Sequence, residues 1–201
     1  MMRSFGIGML AVCLAAVSAG CSRSPRVTFY TLEPGARIEA AAASAVPAVA
    51  VGPVTLPEVV DRPQLVVRVA ANRVEILETH RWAEPLKSEI PRLVAENLGR
   101  LLGSSRVSTY AQHSGAGADY RVLLDIQRFE ASPGQAVTIE AVWTLRRAAG
   151  GAPKTGRSLV REPAGGPGYD PLVAAYGRAL LAVSGDLAQA IRADAAAGAG
   201  R

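Results

Sequence analysis

Residues 120–145 read YRVLLDIQRFEASPGQAVTIEAVWTL. Over 120–126, Tyr120, Val122, Leu124 and Ile126 fall on one side of an extended chain. Over 137–145, Val137, Ile139, Ala141, Trp143 and Leu145 do the same, with Thr138, Glu140 and Thr144 opposite. Apolar residues at every second position mark strands with one buried face. Ser132-Pro133-Gly134 between them is turn chemistry, so the stretch predicts an antiparallel hairpin.

The period changes on either side of this hairpin. Leu86, Ile90, Leu93, Val94, Leu98, Leu101 and Leu102 recur at three- and four-residue spacing, which predicts a helix with one apolar face. Gly103 marks its end, and Pro91 predicts a kink or a late start. From Asp170-Pro171 to Arg192 a second helix is expected, with Leu172, Tyr176, Leu180, Val183, Leu187 and Ile191 as its buried stripe. Further strands are expected at 27–32, at 49–51 ending on Gly52-Pro53, at 64–69 and 73–78 as a second hairpin, and at 157–161. Strands and two amphipathic helices in one chain imply a single mixed α+β domain: a mixed, mostly antiparallel sheet under two long helices. Residues 193–201, rich in Ala and Gly, are expected to form a disordered tail.

The start of the chain answers a different question. Arg3 precedes the apolar run Phe5 to Ala19, which is shorter than the ~20 residues a spanning helix needs. A basic start, a short apolar core and a small-residue exit make residues 1–20 a signal peptide. The exit Ser18-Ala19-Gly20 meets Cys21 at once, similar to a bacterial lipobox, in which the cysteine sulfur is acylated before cleavage. The chain has only 2 cysteines, and Cys13 leaves with the signal, so the mature chain has no partner for a disulfide. Ser22 in place of Asp favours, by analogy with sorting in enteric bacteria, an outer-membrane anchor with the body facing the periplasm. Residues 21–46 are then the lipidated amino terminus, a first strand and an Ala-rich connection, and 47–192 are the rest of a domain spanning 26–192 overall.

Catalysis finds little support. The 2 histidines are far apart, and no H-x-x-x-H or cysteine pair offers a metal site. Ser114, His113 and Asp119 are near neighbours in a polar loop, which does not hold a nucleophile and its base in line. Gly150 to Gly156 has the composition of a phosphate loop but not its G-x-x-x-x-G-K-[ST] order. A net charge of +5, spread along the chain without an aromatic and basic cluster, does not describe a nucleic-acid surface. No enzyme activity, cofactor or metal is expected.

Several blocks resemble one family. Tyr30-Thr31-Leu32, Val51-Gly52-Pro53-Val54-Thr55-Leu56-Pro57, Asp61-Arg62-Pro63-Gln64-Leu65-Val66, Arg81-Trp82-Ala83-Glu84-Pro85-Leu86, Glu96-Asn97-Leu98, Asp119-Tyr120-Arg121 and the strand holding Trp143 are together similar to PqiC-like ABC-type transport auxiliary lipoproteins. The resemblance covers most of 26–192. It implies a fold somewhat like the amino-terminal domain of TolB. It also implies a non-catalytic role at the outer-membrane end of a lipid transport system built on MCE-domain proteins, with associated inner-membrane components and self-association into a homo-oligomer.

Within that frame, two stretches are candidates for partner contact: the Pro-rich loop, through Leu56, Pro57, Asp61, Arg62 and Pro63, and the turn at Arg81 and Trp82. The bland alternative is that the prolines only shape a turn, that Trp82 caps the core, and that Arg81 pairs with Glu78 or Glu84. The competing function is a stand-alone periplasmic lipid carrier, which requires an internal apolar cavity.

Overall fold

A computed structural model of the chain describes residues 25–35, 47–110 and 117–199. Its elements, in chain order, are β1 (Thr28–Tyr30), β2 (Val49–Thr55), β3 (Gln64–Ala70), β4 (Arg73–Trp82), α1 (Leu86–Leu102), β5 (Val107–Thr109), β6 (Tyr120–Ser132), β7 (Ala136–Arg147), β8 (Lys154–Pro163) and α2 (Asp170–Ala199). The signal segment, Cys21, the connection 36–46, His113 and Ser114 lie outside the described residues.

The strands divide into two sheets where one was expected: β1-β4-β3, and β5-β2-β6-β7-β8. The long ladders β6–β7, β7–β8 and β3–β4 are antiparallel, while β2 runs parallel to both β5 and β6. Parallel neighbours need a crossover. The segment carrying β3, β4 and α1 supplies it, and β3 and β4 pair there as a sheet of their own.

The 120–145 hairpin forms with the predicted faces, and β6 runs on to Ser132. The ladder shifts register between Ile126 and Arg128, after which Phe129 and Ala131 are the buried residues. An extra residue in one strand reverses its alternation, which is why the period-two signal stops at Ile126. A similar shift lies between Val51 and Val54 in β2, so that strand continues past Gly52-Pro53 to Thr55. Pro53 has no N–H to give a ladder, and an irregularity is where a strand tolerates it.

α1 begins at Leu86 and passes through Pro91 as one helix, so the proline leaves the Lys87 carbonyl without its helical donor. Gly103, at φ 67°, closes it in the left-handed conformation. α2 runs to Ala199, and the tail expected to be disordered is helical over 193–199. Alanine favours helix, and Asp194 ties the last turns down. Its carboxylate lies 2.7 Å from both the Arg147 guanidinium and the Lys154 ammonium. It also accepts the Tyr120 hydroxyl at 2.8 Å.

α1 packs on β2 and β5, α2 on β7 and β8, and the helices on each other. Three aromatic rings join the layers. Phe129 of β6 stacks on Tyr176 of α2 at 4.0 Å, and Trp82 of β4 meets Tyr176 at 5.9 Å. The residues after β1 are strapped across the helices. Glu89 accepts the Leu32 N–H and Arg92 donates to the Leu32 carbonyl, each at 3.3 Å. The Glu33 carbonyl lies where a side chain at Gly177 would stand, 2.2 Å from an ideal Cβ.

Candidate partner-contact site

The loop from Leu56 to Pro63 is held by its own backbone. Pro57 O accepts from Val60 and Asp61, and Val60 O accepts from Arg62. Leu56 packs on the core, Val60 is buried, and the intervening Glu58 and Val59 are exposed. At its far end Pro63 O accepts the Trp82 N–H at 2.7 Å, and Tyr30 O accepts the Ala83 N–H at 2.8 Å. The loop is thereby fixed to the turn that leads into α1.

This attachment brings most of the candidate residues together. Asp61, Arg62, Pro63 and Trp82, with Ala83, Glu84, Pro85 and Leu86, line one cleft of about 240 Å³. Lys87 closes a rim by pairing with Asp61 at 2.6 Å. Arg62 is half-buried, and its Nε has no hydrogen-bond partner. A buried N–H without an acceptor is costly. Pro57 faces the other way. With Val59, Val60, Val66, Val74 and Phe129 it lines a second, apolar cleft of about 180 Å³ between β3 and β6. The Arg68–Glu130 ion pair, at 2.6 Å, also borders it. The loop is thus a wall between two clefts.

Trp82 and Arg81 have other work. The Trp82 side chain is only 4% exposed and packs among Phe129 and Tyr176, so it is the floor of the first cleft. Arg81 donates to the Glu78 carbonyl at 3.0 Å and pairs with the Glu78 carboxylate at 3.4 Å, outside the cleft lining. The sequence reading named none of Glu84, Pro85 and Lys87, of which the first two line the same cleft and the third pairs with Asp61 beside it. Their signal was position: they sit between a fixed loop and a helix start.

Asp119 accepts the Ala48 N–H at 2.7 Å and pairs with Arg106 at 3.8 Å, a structural use. His80 Nδ1 bonds the Tyr30 hydroxyl at 2.9 Å, and its ring lies 4.4 Å from that of Tyr169. Burial pushes the Tyr30 hydroxyl pKa above its ordinary value, with Asp170 adding to the effect. That makes it a hydrogen-bonding group and not a base. Among the described residues no cluster of His, Cys, Asp and Glu is arranged to hold a metal ion.

A family model for the ABC-type transport auxiliary lipoprotein component matches residues 30–188. The chain belongs to this family. It is a family of transport accessories and not of enzymes. Both contact candidates, the loop and the turn, lie inside the matched region. Solved structures agree on the fold. A crystal structure of an uncharacterized protein aligns with a TM-score of 0.68 at 18% identity, over 83% of this chain and 99% of the other. Protein XCC0632 from Xanthomonas campestris aligns with a TM-score of 0.66 at 20% identity, over 81% and 93%. A PelC dodecamer from Paraburkholderia phytofirmans reaches only 0.37 at 10% identity, over 80% and 92%, too remote to carry an argument. No curated protein matches the sequence.

Proposed function

We propose that this auxiliary lipoprotein is acylated at Cys21, sits on the periplasmic side of the outer membrane and docks an MCE-type lipid transport system. In this reading it assembles as a homo-oligomer and meets the MCE-domain protein through the wall between the two clefts. The observation that carries the docking role is the fixed loop 57–63, which holds Asp61, Arg62 and Pro63 along one cleft. A rigid, partly apolar edge with a few directed polar groups suits a protein partner.

The carrier alternative has less support. The two clefts, about 180 and 240 Å³, are smaller than the roughly 300 Å³ at which small-molecule pockets begin. Two larger hollows, about 440 and 470 Å³, are lined by charged groups that include Arg147 and either Lys154 or Arg106, poor company for an acyl chain.

Photocrosslinking in living cells tests the docking surface. A photoreactive residue in place of Pro63 is expected to capture an MCE-domain protein, and one in place of Gln189, exposed on α2, is not. Capture at Gln189 with none at Pro63 overturns the surface. Capture of nothing but phospholipid returns the carrier to first place.

A further inference from the structure

β1 and β4 are parallel, with Thr28 beside His80 and Tyr30 beside Trp82. The chain upstream of Thr28 therefore arrives from the end at which β3 turns into β4, around Ala71 and Asn72. From His80 back to Arg73 the hairpin continues for about 20 Å past Thr28, at roughly 3.3 Å per residue. From Thr28 back to Cys21 the chain spans at most about 24 Å. A chain of that reach allows Cys21 to stand level with the hairpin tip.

The hairpin's composition fits that position. Its base is buried through Leu65, Val66 and Val67, but residues 69–76 are exposed throughout. Three of them are large and apolar: Val69 (36% exposed), Val74 (38%) and Ile76 (41%). On the incoming strand Val27 is 41% and Phe29 63% exposed. These five make up most of the seven exposed large hydrophobic residues among those described, and all five lie on the β1-β4-β3 sheet or its approach. Apolar side chains on a protrusion beside a lipid anchor are placed to enter a head-group region.

We infer that the β3–β4 hairpin tip is a second membrane contact that rests on the surface of the bilayer holding Cys21. The inference depends on acylation of Cys21, proposed above. Two contacts, anchor and hairpin, would fix the tilt of the domain, so that the strap across α1 and α2 holds the body in one orientation.

The test uses the full chain, processed and purified in detergent. Intact mass first reads the acyl chains. With Cys21 acylated, an Ala71→Cys variant carries one free thiol, labelled with a bimane fluorophore and reconstituted into vesicles of phosphatidylethanolamine and phosphatidylglycerol containing nitroxide-labelled lipid. Ala149→Cys, at the opposite end of β6 from the Glu130 that meets Arg68, is the control. The expected result is loss of fluorescence at Ala71→Cys and none at Ala149→Cys. Adding Val74→Asp and Ile76→Asp is expected to restore the signal at Ala71→Cys. An acylated protein unquenched at Ala71→Cys, or equally quenched at both sites, overturns the hairpin contact while leaving acylation intact. A second copy covering the tip would give the unquenched outcome. A mass without acyl chains removes both readings.

Discussion

The five-stranded sheet has one face closed by two helices, whereas the three-stranded sheet ends in a hairpin whose Val69, Val74 and Ile76 stand in solvent. The first region buries Phe129 and Tyr176 ring against ring and closes its far end with Asp194, Arg147 and Lys154. The second reaches the core through Tyr30, Trp82 and the base residues Leu65, Val66 and Val67, and beyond them residues 69–76 are exposed. The contrast is one of packing: one sheet is covered by helices, and the other carries an exposed hairpin. Substitutions should divide along that line.

The largest effect belongs to the aromatic junction. Phe129→Ala removes a ring that touches both Trp82 and Tyr176, and should cost about 3–5 kcal/mol in a urea titration. A loss no greater than that of a hairpin substitution would break the comparison. Asp194→Asn comes next, at about 1.5–3 kcal/mol, because two cations and a hydroxyl lose a charged acceptor. The hydrogen bond from Lys154, then that from Tyr120, hold the Asp194 carboxyl below its ordinary 3.8. A lowered acid contributes stability above its unfolded value and loses it as pH falls through the folded one. The native chain should therefore lose this contribution on acidification below pH ~4, and Asp194→Asn should lack that part of the acid slope.

Glu89 has the opposite sign. Burial raises its carboxyl above the ordinary 4.5, against the Leu32 N–H and Arg92, which lower it. A raised acid favours the folded state most below its unfolded value, and the advantage is lost as pH rises through the folded one. Glu89→Gln keeps an acceptor for Leu32 without the buried charge, so its stability at neutral pH should stay within about 1 kcal/mol of the native chain. Its dependence on pH just above 4.5 should flatten in the same titration. The smallest effect is expected at the hairpin. Val74→Asp should change the unfolding free energy by no more than about 0.5 kcal/mol in the same urea titration.

The same division governs what was legible in the sequence. The helix stripes were read directly, because Leu172, Tyr176, Leu180, Val183, Leu187 and Ile191 are all buried on one element. The hairpin at 120–145 was equally clear up to Ile126, where a register shift hid the second half of β6. β5 escaped notice because three residues carry no period. The helical end of α2 escaped because Ala195 to Gly198 offer no apolar contrast, and only the long-range pairing of Asp194 reveals why they stay helical. The partition into two sheets is a matter of pairing, which alternation does not encode. Of the contact candidates, the loop and the turn were legible through proline and family resemblance. Their convergence on one cleft was not, since it depends on the Pro63–Trp82 hydrogen bond between strand ends.

The measurement that bears most directly on the account is native mass spectrometry of the full chain extracted from its own membranes in mild detergent. Acylated protomers in a closed homo-oligomer carrying an MCE-domain protein are expected, with release of that partner by Arg62→Glu and the oligomer intact. An unacylated monomer recovered alone, or an MCE complex indifferent to Arg62→Glu, Asp61→Lys and Pro63→Ala together, would contradict it.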